Sequence, residues 1–204
     1  IIILMFLLAS CKTTKHNTNN ILSYVDAIEH HRNEYKNDFI KTAQTPLKES
    51  DLEYLDFFKA NEAYNCDCKF ELTEDSKPFQ MGTYSGKFKP FIKYGIATCI
   101  INENEIHVNV YSSLNTIALP GYEDYLFIPF KDYTSGEQTY GGGRYIDIVI
   151  GDIKNNKVNI DFNKCYNPWC AYSDGYNCPI PPKDNYFEIN ILAGEKMWKG
   201  EKKH

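Results

Sequence analysis

Arginine is nearly missing from this chain: Arg32 and Arg144 are the only two among 204 residues. Acidic residues outnumber basic ones, 27 to 22, which gives a net charge of -5 and a pI near 5.6. A surface of that sign repels phosphate backbones, so nucleic acid is not an expected partner. The chain has no CxxC pair, and its histidines (His16, His30, His31, His107 and His204) follow no ligand spacing. A zinc site is therefore disfavoured, and no metal or other cofactor is expected. No repeat of fixed period is visible, and nothing marks a second domain. Aromatic residues, by contrast, make up 15% of the chain and include 16 tyrosines. Tyrosine suits strands, where the ring packs on a pleated surface while the hydroxyl reaches water.

Long apolar runs are scarce too. Ile1–Leu8 is uncharged and apolar but too short to span a bilayer as a helix. It reads as the core of a secretory signal whose beginning is missing. Leu8-Ala9-Ser10-Cys11 then matches the bacterial lipobox, in which the cysteine thiol receives a diacylglycerol before cleavage. Residues 1–10 are read as a truncated signal peptide and 11–20 as a polar tether. Acylated Cys11 would hold the protein to the lipid bilayer in the cell envelope, facing the periplasm.

Past the tether, Ile21, Val25, Ile28, Tyr35 and Phe39 recur at steps of three, four and seven, which predicts a helix over 20–42 capped by Asn19 or Asn20. Pro46 breaks the pattern. A shorter helix is expected next, with Ser50 as N-cap and Leu52, Leu55 and Phe58 as its apolar stripe. From Asn65 the pattern alternates. Lys93–Ser112 reads as a hairpin, as do Tyr125–Phe130 and the return strand ending at Ile150. "VNIDF" and "NYFEINILAG" supply further strands, the latter closing the sheet. Helices followed by strands predict an α+β fold, with two N-terminal helices packed on a mainly antiparallel β-sheet or small β-barrel. The domain is placed at 21–195, with 196–204 a frayed charged tail.

Chemistry concentrates in two stretches. "TYGGGRYIDI" runs three glycines into Arg144 and then into a strand, so a phosphate loop that opens a helix is excluded. The glycines allow either a sharp bend or the close approach of a ligand to the backbone. Arg144 would then grip a carboxylate or phosphate, or else pair internally with Asp147 or Asp161. The second stretch, Asp161–Asn185, is rich in asparagine, proline and cysteine, a rigid loop suited to presenting side chains.

With Cys11 set aside, six cysteines remain, and an exported protein meets oxidising conditions. Cys170 and Cys178 can bridge a short loop. Cys66 and Cys68, about 7 Å apart on one face of a strand, cannot easily pair with each other but can reach Cys99 or Cys165. A thiol nucleophile at Cys170 or Cys178 would need a base, and His107 is the one candidate in place.

"TYGGGRYIDI", "DFNKCYNPWCAYS", "CPIPPKDN" and the terminal "AGE", with "TPL" and "PFKDYTSGEQTY", resemble the family of unknown function numbered 1684, over roughly Tyr24 to Glu195. The resemblance implies no established activity. It marks positions from Tyr140 and Arg144 through Asp147, Asp161, Asn163 and Asn167 to Cys170 and Cys178 as the family's own.

The sequence thus points to an uncharacterised membrane-anchored domain that binds a small anionic or polar ligand between the glycine strand and the proline-stiffened loop. Arg144 is the expected anion anchor, beside Tyr140, Asp147, Asp161, Asn163, Asn167, Cys170 and Cys178. A hydrolase-like or thiol-dependent enzyme using Cys170 or Cys178 is the rival, and a structural envelope lipoprotein without ligand the third reading.

Overall fold

A computed structural model describes residues 23–204. The signal-like run, Cys11, the tether and the expected caps Asn19 and Asn20 lie outside the described residues. Among the described residues there is one α-helix, α1 (Tyr24–Lys41), and it starts where Ser23 makes a capping box with Asp26. Asp26 N–H donates to Ser23 Oγ at 3.2 Å, and Ser23 N–H donates to Asp26 Oδ2 at 3.3 Å. Two backbone donors that the helix cannot pair are thereby satisfied. Ile28 and Phe39 are buried, whereas Val25 is half exposed and lies off the inward stripe.

The second expected helix is a short 3-10 turn, Glu49–Tyr54, so the two-helix expectation is corrected to one. Ser50 is not its cap. The Asp51 carboxylate instead takes the Lys48 N–H at 2.6 Å, and the turn is closed by its C-cap Leu55, which is buried. The backbone turns extended at Leu55 (φ -70°, ψ 123°), and six residues are too few to offset the cost of nucleating an α-helix.

The rest is a mainly antiparallel curled sheet. Its strands are β1 (Asn65–Leu72), β2 (Phe79–Gly82), β3 (Phe88–Ile101), β4 (Asn104–Ser113), β5 (Tyr125–Asp132), β6 (Arg144–Val149), β7 (Lys157–Asp161) and β8 (Tyr186–Phe187). The order is β6-β5-β4-β3-β1-β7, with β2 added on β3 and β8 on β5. Both expected hairpins form, and the first turns at Asn102 and Glu103, each at positive φ. The main core lies inside the curl, from Cys68, Ala97 and Val108 across Ile128 and Ile146 to Ile160. Cys68 and Cys99 are joined there as a disulfide between β1 and β3.

Two strand-level expectations change. β2 has no counterpart in the sequence reading, and β8 contributes only two residues, paired parallel to Lys131 and Asp132. The chain beyond β8 is irregular because the carbonyls of Ile191, Ala193 and Glu195 turn inward to a guanidinium instead of a neighbouring strand. Nor is the end of the chain frayed. Lys203 N–H donates to Tyr172 O at 2.9 Å, Asp174 N–H to Lys203 O at 2.9 Å, and the Lys203 ammonium pairs with Asp51. Among the described residues, no helix is long and apolar enough to cross a membrane.

Candidate functional site: a cleft between the edge strands

The glycine motif is architecture. Gly143 N–H donates to Tyr140 O at 2.9 Å and closes a turn over Gly141 and Gly142. Gly143 then sits at φ +91°, and a Cβ there would lie 2.5 Å from Phe130 O. Only glycine fits both demands. The turn delivers Arg144 into the interior, where it is 0% exposed. Its Nη2 donates to Asp132 Oδ1 at 3.2 Å and Ile191 O at 3.0 Å, and Nη1 donates to Ala193 O and to Glu195 O. The ring of Phe130 lies 5.2 Å beneath it. Its internal partner is Asp132, not Asp147 or Asp161, and no edge faces an opening. The expected anion anchor is therefore corrected to a buried structural ion pair.

Other expected site residues are also clamps. Asn167 is fully buried, giving its N–H to Glu195 Oε2 at 2.9 Å and its amide to Lys196 O at 2.7 Å. Asn163, 1% exposed, accepts the Asn61 N–H at 2.9 Å and reaches Asn61 O at 2.9 Å. Tyr140 donates to Cys170 O at 3.3 Å. Cys170 and Cys178 form a disulfide, so neither carries a free thiol for nucleophilic attack. Among the described residues the thiols that remain free, Cys66 and Cys165, are buried, and burial pushes each up to about 11. Such thiols are inert at neutral pH. His107 lies exposed on β4, where its ring faces Thr98 and Glu105 and bonds to none of these sulfurs.

Asp147 and Asp161 belong elsewhere. They line a cleft of about 640 Å³ at the place where the curl brings the two edge strands, β6 and β7, toward each other under α1. Its helical wall is His31, Glu34, Tyr35, Asp38 and Phe39, a single stripe at three- and four-residue spacing. β6 contributes Ile146, Asp147 and Ile148, and β7 contributes Asn159 and Asp161. The β6–β7 connection adds Asp152 and Lys154, and the rigid loop adds Lys164, Tyr166 and Trp169.

Tyr166 is tied to the β6 edge by a reciprocal backbone pair with Tyr145, at 2.9 and 3.0 Å. Two residues on, the N–H and C=O of Asp147 point off the same edge, because strand groups repeat every second residue. The Asp147 side chain leaves the sheet on the face opposite the main core. Its Oδ1 accepts the Tyr125 hydroxyl and its Oδ2 the Tyr166 hydroxyl, both at 2.7 Å. The surrounding protein raises the proton affinity of Asp147, and the two phenols oppose that rise.

Asp161 closes β7 and is 7% exposed. Its Oδ1 accepts the Tyr24 hydroxyl at 2.9 Å and the Asn163 N–H at 3.0 Å, with Asn163 Nδ2 at 2.9 Å. Oδ2 accepts no hydrogen bond from any described residue. His31 is lowered by burial and by the nearby Lys164, which favours the neutral ring. Aromatic contact is dense along the wall, with the Tyr35 and Tyr166 rings 5.9 Å apart.

A model described as "Protein of unknown function (DUF1684)" matches residues 50–196, most of the chain. The chain belongs to the DUF1684 family. Nothing matches among curated proteins. Among solved structures, this DUF1684 chain is similar to the solution NMR structure of an uncharacterized protein from Haloarcula marismortui, at 24% identity and a TM-score of 0.65. That likeness covers 83% of this chain and 92% of the other, and it shows a shared fold. The helical wall, Tyr166 and Trp169 were not assigned to a site from the sequence. The signal for the wall lies in His31, Glu34 and Asp38, polar residues that flank the apolar Tyr35 and Phe39 at three- and four-residue spacing.

Proposed function

We propose that this DUF1684 member is a binding domain for a small polar molecule, held in the cleft between β6, β7 and α1. The observation that carries this is the joining of Asp147 and Asp161, with Tyr35, Tyr166 and Trp169, around one open volume of about 640 Å³. That volume suits a ligand of metabolite size, and a largely formed cleft with a few convergent polar groups is what such sites share. The reading keeps the ligand-binding function and the neighbourhood expected from the sequence. It moves the site from the buried face of the glycine strand to its edge.

Native mass spectrometry of the protein purified from its own membrane tests this. A bound metabolite is expected in the native protein and is expected to be lost in Trp169→Ala. Retention of the same mass by the variant would refute the cleft as its seat. The Leu8–Cys11 motif supports a further part of the proposal, that acylated Cys11 holds the domain on the periplasmic side of a membrane. Metabolic labelling with an alkyne fatty acid should mark the native protein and not Cys11→Ser.

A further inference from the structure

We infer that the ligand class of this cleft is a protonated organic amine, an inference that rests on the cleft being a ligand site. Asp161 is more than nine-tenths buried, and one of its carboxylate oxygens lacks a donor among the described residues while the residue lines the cleft. Charge-assisted N–H donation is the strongest bond such an oxygen can receive.

The walls agree. Five carboxylates (Glu34, Asp38, Asp147, Asp152 and Asp161) face the volume against two ammonium groups, those of Lys154 and Lys164. Both lysines are exposed on long stems and are free to swing toward water. An anion seated between Asp147 and Asp161 would meet like charge on two sides. A bare metal ion fits poorly as well: no group of three or more His, Cys, Asp or Glu among the described residues is placed to hold one. Carboxylates spread around a large volume suit an organic cation that is itself extended. Tyr35, Tyr166 and Trp169 supply ring surface, which attracts ammonium groups through the quadrupole and packs their carbon chain.

The test is isothermal titration of the whole protein with three molecules on one scaffold: tyramine (cationic), tyrosol (neutral) and 4-hydroxyphenylacetate (anionic), with spermidine as an aliphatic amine. At least one of the amines is expected to saturate at or below millimolar concentration, with tyrosol roughly tenfold weaker than tyramine and the acid not saturating. Asp161→Asn is expected to weaken amine binding by tenfold or more. Should that variant not fold, Asp147→Asn is expected to weaken it severalfold, since both oxygens of Asp147 are held by phenols and the position faces solvent. Tyrosol or 4-hydroxyphenylacetate binding as tightly as tyramine, with the signal lost in Trp169→Ala, would overturn the amine assignment and leave the cleft as a ligand site. Failure of both amines to saturate would also overturn it. The cleft itself falls only if a natively bound metabolite survives Trp169→Ala.

Discussion

Two acidic groups on neighbouring strands have opposite fates in this molecule. Asp132, on β5, is 7% exposed, and its oxygens accept from Arg144, from the Thr134 hydroxyl and from the Ile191 N–H at 2.8 Å. Asp147, on β6, reaches into open volume and, among the described residues, is held by two phenols alone. The first is a charge whose bonding capacity the fold has used up; the second is a charge the fold has positioned and left accessible. Motif prominence did not separate them. Arg144 and its glycines are the most conspicuous feature of the sequence, yet they belong to the closed centre.

The largest way to break this comparison is Arg144→Met, which leaves Asp132 buried without its cation. Removing one partner of a buried pair costs about 3–5 kcal/mol, so urea denaturation should show most of the stability gone. An unchanged midpoint would mean the pair is not the keystone described above.

The next effect concerns Glu195, fully buried between the closed centre and the helix. Its carboxylate accepts the Tyr172 hydroxyl at 2.6 Å, the Asn167 N–H at 2.9 Å and the Tyr35 hydroxyl at 3.1 Å. Burial dominates over these bonds and pushes it up from 4.5 to about 7. Between those values the unfolded chain has released a proton that the folded protein keeps. This group's contribution, about 3 kcal/mol, is therefore fully present below the lower value and is lost as pH rises through the higher one. Denaturation from about pH 4.5 to about pH 8 should show that decline in the native protein and a flatter profile in Glu195→Gln.

A smaller loss is expected from opening the Cys170–Cys178 bridge. The residues are eight apart, and closing so short a loop contributes roughly 2.5 kcal/mol in the chain-entropy model. The paired substitution Cys170→Ser with Cys178→Ser should lower the urea midpoint by less than Arg144→Met does. The smallest effect is Asp147→Asn. Because this side chain faces the cleft, its stability change should stay within about 1 kcal/mol, against a clear loss of amine binding in titration. A variant that unfolded instead would place Asp147 with Asp132 and erase the contrast.

Much of the fold was legible beforehand. The alternation of Ile106, Val108 and Val110 and the turn at Asn102 and Glu103 specify the β3–β4 hairpin locally. Tyr125–Asp132 and Arg144–Val149 pair for the same reason. The cap was misplaced because two asparagines precede Ser23, and only the reciprocal bond to Asp26 distinguishes the true start. β8 was overextended because Ile191 and Ala193 are buried in the main core while their carbonyls bond Arg144 and not a neighbouring strand. For the site, the sequence grouped Asp147 and Asp161 with Arg144, whereas the fold sets the two aspartates along one cleft and seals Arg144 in the interior.

Read alone, the sequence determined the elements whose causes lie within a few residues: helix, hairpins, the glycine turn and the reach of the Cys170–Cys178 loop. Which charges are sealed and which are open was decided only in three dimensions. The curl of the sheet sets its first and last strands, far apart in the ladder, on either side of one cleft, and a helix from the other end of the chain covers it. Burial is a property of that closure, and no local pattern of residues encodes it.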